Sequence, residues 1–509
     1  MVSTTNKAIT VYIRNGDLDG ARKLFDTMSV KNIISWNSIL AGYSKKAGHL
    51  KEARELFERI PNPDVVSFNT MITCYFHNTD VDGARRLFDG MLRKDLASWN
   101  SMISGLSKNG LVNEAAMLFS AMPYRNNVSW NAVVSGYVRM GDIDKAEEYY
   151  KKASERDDVI LQTAMITGYM NSRRVGCAEK LFGMMKLKNL VTWNAMVAGY
   201  VENNQSENGL KLFRVMIRDM MANPSTLSSA LLGCSNLSSL FLGRQIHQLS
   251  LKSPSYSDDP SVGTSLLSMY SKCGELEDAR KVFDMMTLKD VVAWNAMISG
   301  YAHHGIGRTS HALFNKMINE KKSPDWITFV AVLTACAHTG MVELGWHYFH
   351  SMVRDHGVDH TPDHYSCMVD LLCRAGSVSE AARLIRSMPF KPHEAVYGML
   401  LSACRRENNV ELAEYAAKNL LEMEPRNCGG YVQLANVYAS ARMWSDVSKV
   451  RIVMKESKVV KTPGYSWIEV GGGVHEFRSG DRMHPQLDSV VCQLKELEKR
   501  MKVKIKPFN

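Results

Sequence analysis

The 509-residue sequence has no uninterrupted apolar run approaching eighteen residues, so a transmembrane helix is not expected. It has no C-x-x-C pair either. Its ten cysteines are scattered without even spacing, which argues against a disulfide framework. Cys273, Cys336 and Cys404 fall at apolar helical positions and read as small core residues in a reducing compartment. The N-terminus lacks the marks of a signal or transit peptide. "MVSTTNKAITVYIRNGDLDGARKLF" aligns instead with the second half of a recurring unit, and we expect the natural N-terminus, with any targeting segment, to be longer.

What is present is an ordinary soluble composition, 45% hydrophobic and 22% charged, in a chain too long for one small domain. Either several domains or a repeat array is required. The formal net charge of +10, somewhat concentrated in the last fifty residues, favours a polyanionic partner without establishing one.

A repeat is evident. "IISWNSILAGY", "VVSFNTMITCY", "LASWNSMISGL", "LVTWNAMVAGY" and "VVAWNAMISGY" are near copies. Trp36, Phe68, Trp99, Trp130 and Trp193 lie 32, 31, 31 and 63 residues apart, with Gln162 at the skipped place. Self-similarity at this period indicates a solenoid. Each unit holds two segments with apolar residues at helical spacing, separated by a glycine such as Gly48, Gly110, Gly141 or Gly274, which predicts a helical hairpin.

With the aromatic numbered position 4, positions 4, 8 and 11 (Trp294, Ile298, Tyr301) share one face and form the packing stripe. Positions 2, 5, 9 and 12 form an adjoining face. Position 5 is asparagine in Asn6, Asn37, Asn69, Asn100, Asn131, Asn194 and Asn295, and threonine in Thr163 and Thr264. Neither is a good helix former, so something other than propensity keeps them there. The second segment carries A-x-x-x-F followed by proline, as in Ala53, Phe57 and Pro61 or Ala115, Phe119 and Pro123. That matches half of the tetratricopeptide signature, but its W-x-x-L-G-x-x-Y half is absent.

On these residues, with "SLLSMYSKCG", "VAVLTACAHTG" and "HYSCMVDLLCRAG", the chain resembles a plant pentatricopeptide repeat protein of the subclass that mixes short, long and standard-length units. The resemblance implies an all-α, right-handed superhelical solenoid. Its repeat array covers residues 2–393, about twelve units of 31–36 residues. E-type helical repeats follow at 394–463, and an extended-E segment with a basic C-terminal helix at 464–509. Such proteins are similar to site-recognition factors for cytidine-to-uridine editing of organellar RNA.

The resemblance also implies a code, in which position 5 and the last residue of the same unit choose one base. The chemistry is intelligible: uracil and guanine offer a ring N–H that a carboxylate accepts, whereas cytosine and adenine offer a ring acceptor suited to an amide donor. Carried onto this sequence, Asn6 with Asn32 gives C, Asn37 with Asp64 U, Asn69 with Asp95 U, Asn100 with Asn126 C and Asn131 with Asp158 U. Thr163 with Asn189 gives A, Asn194 with Asn223 C, Thr264 with Asp290 G and Asn295 with Asp325 U. The unit with Ser228 and Asp259 is undecoded, and those around Val330 and Ser366 lie outside the code. The expected target is CUUCUAC-N-GU.

Each of these features has a plainer reading. Asp or Asn at a unit junction is also a favoured helix N-cap. Arg14, Lys45, Lys108, Arg139, Lys272 and Arg374 recur near position 13 and suit either an RNA backbone or a helix C-terminus, although His77 and Glu202 break the series. The apolar residue at position 2 (Ile34, Val66, Val128, Val292) resembles the family's base-sandwiching residue, and a core valine is the alternative.

A zinc deaminase needs H-x-E…P-C-x-x-C, which is absent; adjacent His475 and Glu476 do not supply it. We therefore expect a non-enzyme with no cofactor and no metal. Its partners would be single-stranded organellar RNA, a deaminase-domain protein in trans and other editing factors, and its compartment the mitochondrion, with the chloroplast as the alternative. The basic amphipathic stretch "LDSVVCQLKELEKRMKVKIK" either docks such a partner or is a solvated terminal helix. Other readings of the whole chain are an RNA processing or stability factor, or a protein-interaction scaffold.

Overall fold

The computed structural model describes residues 2–45, 48–154, 156–252, 259–459, 464–470, 473–478 and 487–504. Among these, twelve helical hairpins run in sequence from Val2–Arg14 with Leu18–Asp26 to Pro362–Arg374 with Val378–Ser387. Two more follow, Glu394–Arg406 with Val410–Met423 and Cys428–Ser440 with Trp444–Glu456. In every hairpin but Pro224–Leu237 with Leu240–Leu251 the second helix packs on the first, and within each stretch on either side of that hairpin the first helices of neighbouring units lie side by side. The chain divides into two compact units, Met1–Gly233 and Cys234–Asn509, and each is a solenoid of these hairpins.

Local chemistry sets the hairpin boundaries. Asp64 accepts the backbone N–H of Ser67 at 2.9 Å, while the Ser67 hydroxyl accepts the backbone N–H of Asp64, closing a capping box. Asn32, Asp95, Asn126 and Asp325 build the same box with Ser35, Ser98, Ser129 and Thr328. The chain then reverses through a left-handed residue: Gly48, Gly110, Gly141 and Gly274 have φ of 93°, 83°, 82° and 85°. Thr79, Arg173 and Asn204 take the same turn at φ of 59°, 61° and 59° without the freedom of glycine.

The position-4 aromatic is placed by the second helix of the preceding unit. Phe25–Trp36, Phe88–Trp99, Phe119–Trp130, Phe182–Trp193 and Phe283–Trp294 meet edge to face at 4.6–5.2 Å between centroids. Ile298 is fully buried beside them, as are Ala53 and Ala115 of the A-x-x-x-F motifs. A cation locks many of these joints. Lys31, Lys94, Lys188 and Lys289 stand 5.0–5.4 Å over the phenylalanine rings, and their ammonium groups donate to the carbonyls of Met28, Met91, Met185 and Met286.

Three sequence expectations need adjustment. The N-terminal stretch is a whole hairpin rather than the second half of one, because Val2–Arg14 is already a first helix. Of the three cysteines read as core, Cys336 and Cys404 are buried, but Cys273 is half-buried at a helix C-cap. The helical array is followed by an antiparallel strand pair, Tyr465–Val470 and Gly473–Arg478, with Ile468 opposite His475. Aromatic and β-branched residues around a glycine run were its signal. The C-terminal helix is present as Leu487–Lys504. Among the described residues, no helix is long and apolar enough to cross a membrane.

Candidate nucleic-acid interface

The capping boxes place position 5. Each cap residue begins one first helix and meets, across the joint, the asparagine one turn into the preceding first helix. Asn37 Nδ2 donates to Asp64 Oδ1 at 3.0 Å, and Asn295 Nδ2 to Asp325 Oδ1 at 2.9 Å. The same bond joins Asn6 to Asn32 (3.3 Å), Asn69 to Asp95 (3.4 Å), Asn100 to Asn126 (3.2 Å), Asn131 to Asp158 (3.2 Å) and Asn194 to Asn223 (3.1 Å). Seven of the nine residue pairs singled out in the sequence are thus directly bonded.

The other two differ. Thr163 bonds Thr192 at 2.7 Å, and Thr192 in turn donates to Asn189 at 2.9 Å, so a hydroxyl bridges this pair. Thr264 makes no hydrogen bond to Asp290, whose Oδ1 caps the backbone N–H of Ala293 at 2.9 Å. Threonine is too short to span the joint that asparagine spans.

Sequence reasoning missed the third member of the joint. Ser35, Ser67, Thr226 and Thr328, all buried, donate to the position-5 oxygens of Asn6, Asn37, Asn194 and Asn295. Their signal was a serine or threonine just before position 4, as in "VSFN" and "ITF", where position 4 is aromatic, or "STL", where it is leucine. Where that hydroxyl turns to the cap instead, as at Ser98 and Ser129, or is replaced by Leu161, the Oδ1 atoms of Asn69, Asn100 and Asn131 are left buried without a partner among the described residues.

The network also sets charge. Burial pushes the Asp64 carboxyl up, but bonds from Asn37 and Ser67 outweigh it and hold it below the ordinary carboxylate value. Asp95 follows the same pattern, with burial overcome by Ser98 and Asn69. Both are anionic near neutrality. Asp64 Oδ1 carries the internal bonds, and among the described residues no hydrogen bond reaches Oδ2.

Position 5 is not a solvated surface place: Asn6, Asn100, Thr163 and Asn295 are buried, and Asn37 and Asn69 half-buried. Position 2 is the reverse. Ile34, Val66, Val128 and Val292 are 54–59% exposed, which removes the core-valine reading. Of these residues, Asn100 and Val128 line a groove of about 610 Å³ between the helices Val65–His77 and Leu96–Lys108, with Thr73, His77, Ser104 and Lys108 also on its walls. The helix register fixes Ser228 and Val330 at position 5 of the long units, since those helices start at Pro224 and Trp326.

The cations near position 13 are all exposed. Arg14, Lys108, Arg139, Lys272 and Arg374 stand in the last turns of their helices, and Lys45 at a C-cap. Only Arg374 of the six forms an ion pair among the described residues, with Asp370 at 2.8 Å. His475 and Glu476, adjacent on a strand, point to opposite faces and cannot converge on one ion. Among the described residues, no group of His, Cys, Asp or Glu is arranged to hold a metal.

Comparison with known proteins agrees with this architecture. The profile of the PPR repeat matches residues 3–33, 34–62, 97–127, 128–157, 163–190, 191–220, 264–291, 327–356 and 363–391, and a second PPR repeat profile matches 61–92. The PPR repeat family profile matches 289–338, and that of the E motif 407–469. A mitochondrial pentatricopeptide repeat-containing protein of Arabidopsis thaliana is 38% identical over 351 residues, 69% of this chain and 55% of that protein. A chloroplastic one from the same plant is 40% identical over 349 residues, 68% of this chain and 53% of that protein. The chain thus spans about half the length of these relatives. The crystal structure of the maize pentatricopeptide repeat protein PPR10 covers 90% of this chain and 80% of its own, with a TM-score of 0.51 at 17% identity. PPR10 in complex with an 18-nt psaJ RNA element gives 0.52 at 16% identity, covering 91% of this chain and 80% of that chain. At this identity the likeness speaks for the fold.

Proposed function

The chain belongs to the pentatricopeptide repeat family, and on that premise we propose that it binds single-stranded RNA by sequence, one base per unit, through the position-5 and cap residues. The observation that carries the reading is the recurrence of one bonded amide–cap pair at seven joints, five of them beside an exposed isoleucine or valine at position 2. A base inserted between successive position-2 residues meets the cap's outer oxygen or amide with its Watson–Crick edge. Capping and base selection are not rivals at Asp64, where the cap and the Asn37 bond share Oδ1.

The target is CUUCUAC-N-GU, read 5′ to 3′ from the N-terminal unit. The function is site recognition for cytidine-to-uridine editing of an organellar transcript, with the deamination supplied in trans by a separate deaminase. The E motif match at 407–469 supports a recruiting role, since a passive blocker of RNA needs no such segment. The mitochondrion is the proposed compartment, with the chloroplast as the alternative; relatives named for both occur.

Fluorescence anisotropy with CUUCUACNGU RNA, against an oligonucleotide with C and U exchanged, at two salt concentrations, tests the reading. Preference for the first, weakened by salt, is expected. Equal affinity for both would sink the code, and absence of binding would sink RNA recognition.

A further inference from the structure

Between the helices Pro362–Arg374 and Glu394–Arg406 lies a second groove, of about 550 Å³, whose walls include Asp370, Arg374, Gly398, Ser402, Arg405 and Arg406. Numbered from the start of each first helix, it is lined from the same places as the groove over Asn100: positions 9, 12 and 13 of one helix and 2, 5, 6, 9 and 10 of the next. The reading face therefore continues past the repeat array into the E-type hairpins with its shape retained.

Its chemistry changes. Position 5 is Gly398, where an added Cβ would meet nothing within 4 Å, so the place of the selecting amide is open space. Positions 12 and 13 become Arg405 and Arg406, and Arg374 faces them. Asp370 holds Arg374 at 2.8 Å, and Arg406 donates to the Cys373 carbonyl at 2.8 Å, which fixes two guanidinium groups at the groove wall. Arg405 is exposed and has no hydrogen bond or ion pair among the described residues. Three arginines against one aspartate leave the lining with a charge of +2.

A groove that keeps its form, loses its base-selecting group and gains fixed guanidinium groups suits a phosphodiester backbone rather than a base edge. We infer that this groove carries the RNA onward past the last selecting pair, holding its phosphates without choosing a base. The inference rests on the RNA-binding reading above. Units centred on Val330, Ser366 and Gly398 follow Asn295, so at one nucleotide per unit the groove meets RNA about three nucleotides 3′ of the coded stretch.

The experiment compares CUUCUACNGU with the same RNA extended at its 3′ end by UUU or by AAA, on the full chain and on the variants Arg405→Ala and Arg405→Ala/Arg406→Ala, with melting curves as a folding control. The extension is expected to tighten binding about fivefold whichever base it carries. The double variant should lose that gain while binding the short RNA unchanged, and its log–log salt slope on the long RNA should fall by ~0.7 per phosphate released. The single variant, which removes no hydrogen bond or ion pair among the described residues, should lose part of the gain. No gain from extension, a gain that depends on the added base, or a gain that survives in both variants would overturn the proposal. If the C/U-exchanged RNA binds equally well, the code fails while the extension arms still decide the groove; if no RNA binds, both readings fall.

Discussion

Asn37 and Asp64, twenty-seven residues apart in the chain, share a hydrogen bond of 3.0 Å from amide to carboxylate, and that carboxylate also starts a helix. Asp64→Asn keeps an acceptor for Ser67 and hence the cap, but replaces the outer oxygen by an amide donor. The second nucleotide of the target should then shift from U to C, by roughly tenfold or about 1.4 kcal/mol in relative affinity. Anisotropy with RNAs differing only there checks this. Unchanged preference, with the fold intact, would remove Asp64 from base selection.

At Trp294 the packing is complete and the polar end is not. The side chain is fully buried against Phe283, yet its indole N–H has no partner. Trp294→Ala should cost about 3–5 kcal/mol through the cavity it leaves. Trp294→Phe should cost much less, because it also deletes the unsatisfied donor. Urea denaturation of the three proteins, compared at one temperature, gives the ranking, and equal losses in the two variants would contradict it.

Thr79 carries a β-branched side chain at φ of 59°, where neighbouring turns carry glycine. Thr79→Gly should therefore stabilise the chain by about 0.5–1 kcal/mol, the relief of left-handed strain exceeding the entropy that glycine adds to the unfolded state. The readout is an upward shift of the melting temperature; a downward shift would mean that the turn is not strained.

His364 is fully buried, with Nδ1 accepting the backbone N–H of Thr361 at 3.0 Å and Nε2–H donating to the Trp326 carbonyl at 2.8 Å. Burial lowers its pKa, outweighing the bond to Trp326; His360 lowers it further and Asp363 opposes. The unfolded chain thus takes up the proton more readily. The stability His364 contributes is present above the unfolded histidine value of about 6.5 and is lost as pH falls toward the folded one. His247 and His311, both also lowered by burial, act in the same direction. Melting temperature should fall between pH 7.5 and 5.5, and by less in His364→Gln, whose amide can serve both partners. Asp64 and Asp95, held low, keep their charge across this window.

Lys108 lines the groove over Asn100 and has no ion-pair partner among the described residues, although it also sits at a helix C-terminus. If it meets a phosphate, Lys108→Ala should reduce the salt slope of RNA binding by ~0.7 and weaken all sequences alike. A change in melting temperature with an unaltered slope would assign it to the helix dipole instead.

Period, hairpin and packing stripe were legible because the Trp36 and Trp294 segments announce themselves by aromatic spacing, and the turns by glycine. The pairing of position 5 with the cap residue came from resemblance, since nothing in the spacing of Asn37 and Asp64 says that they touch. What stayed hidden was whatever depends on the neighbouring unit. The hydroxyl of Ser67 serves both members of one joint, Asn37 and Asp64, Thr163 needs Thr192 to reach Asn189, and Val292 is outside the core although its residue type suggests otherwise. The strand pair after the helices was carried by a short β-prone stretch that a search for helical period passes over.

Because the residue that ends one unit must also launch the next helix, its identity is rationed by helix termination. Only short side chains with an acceptor two or three bonds from Cα can hold the N–H of Ser35, Ser67 or Thr328, and among the pairs here that residue is always Asn or Asp. Whatever the joint recognises, it must be spelled in that two-letter vocabulary, with position 5 as the second character. A glutamate or glutamine introduced there to widen the alphabet would unfasten the seam between units before it changed a single letter.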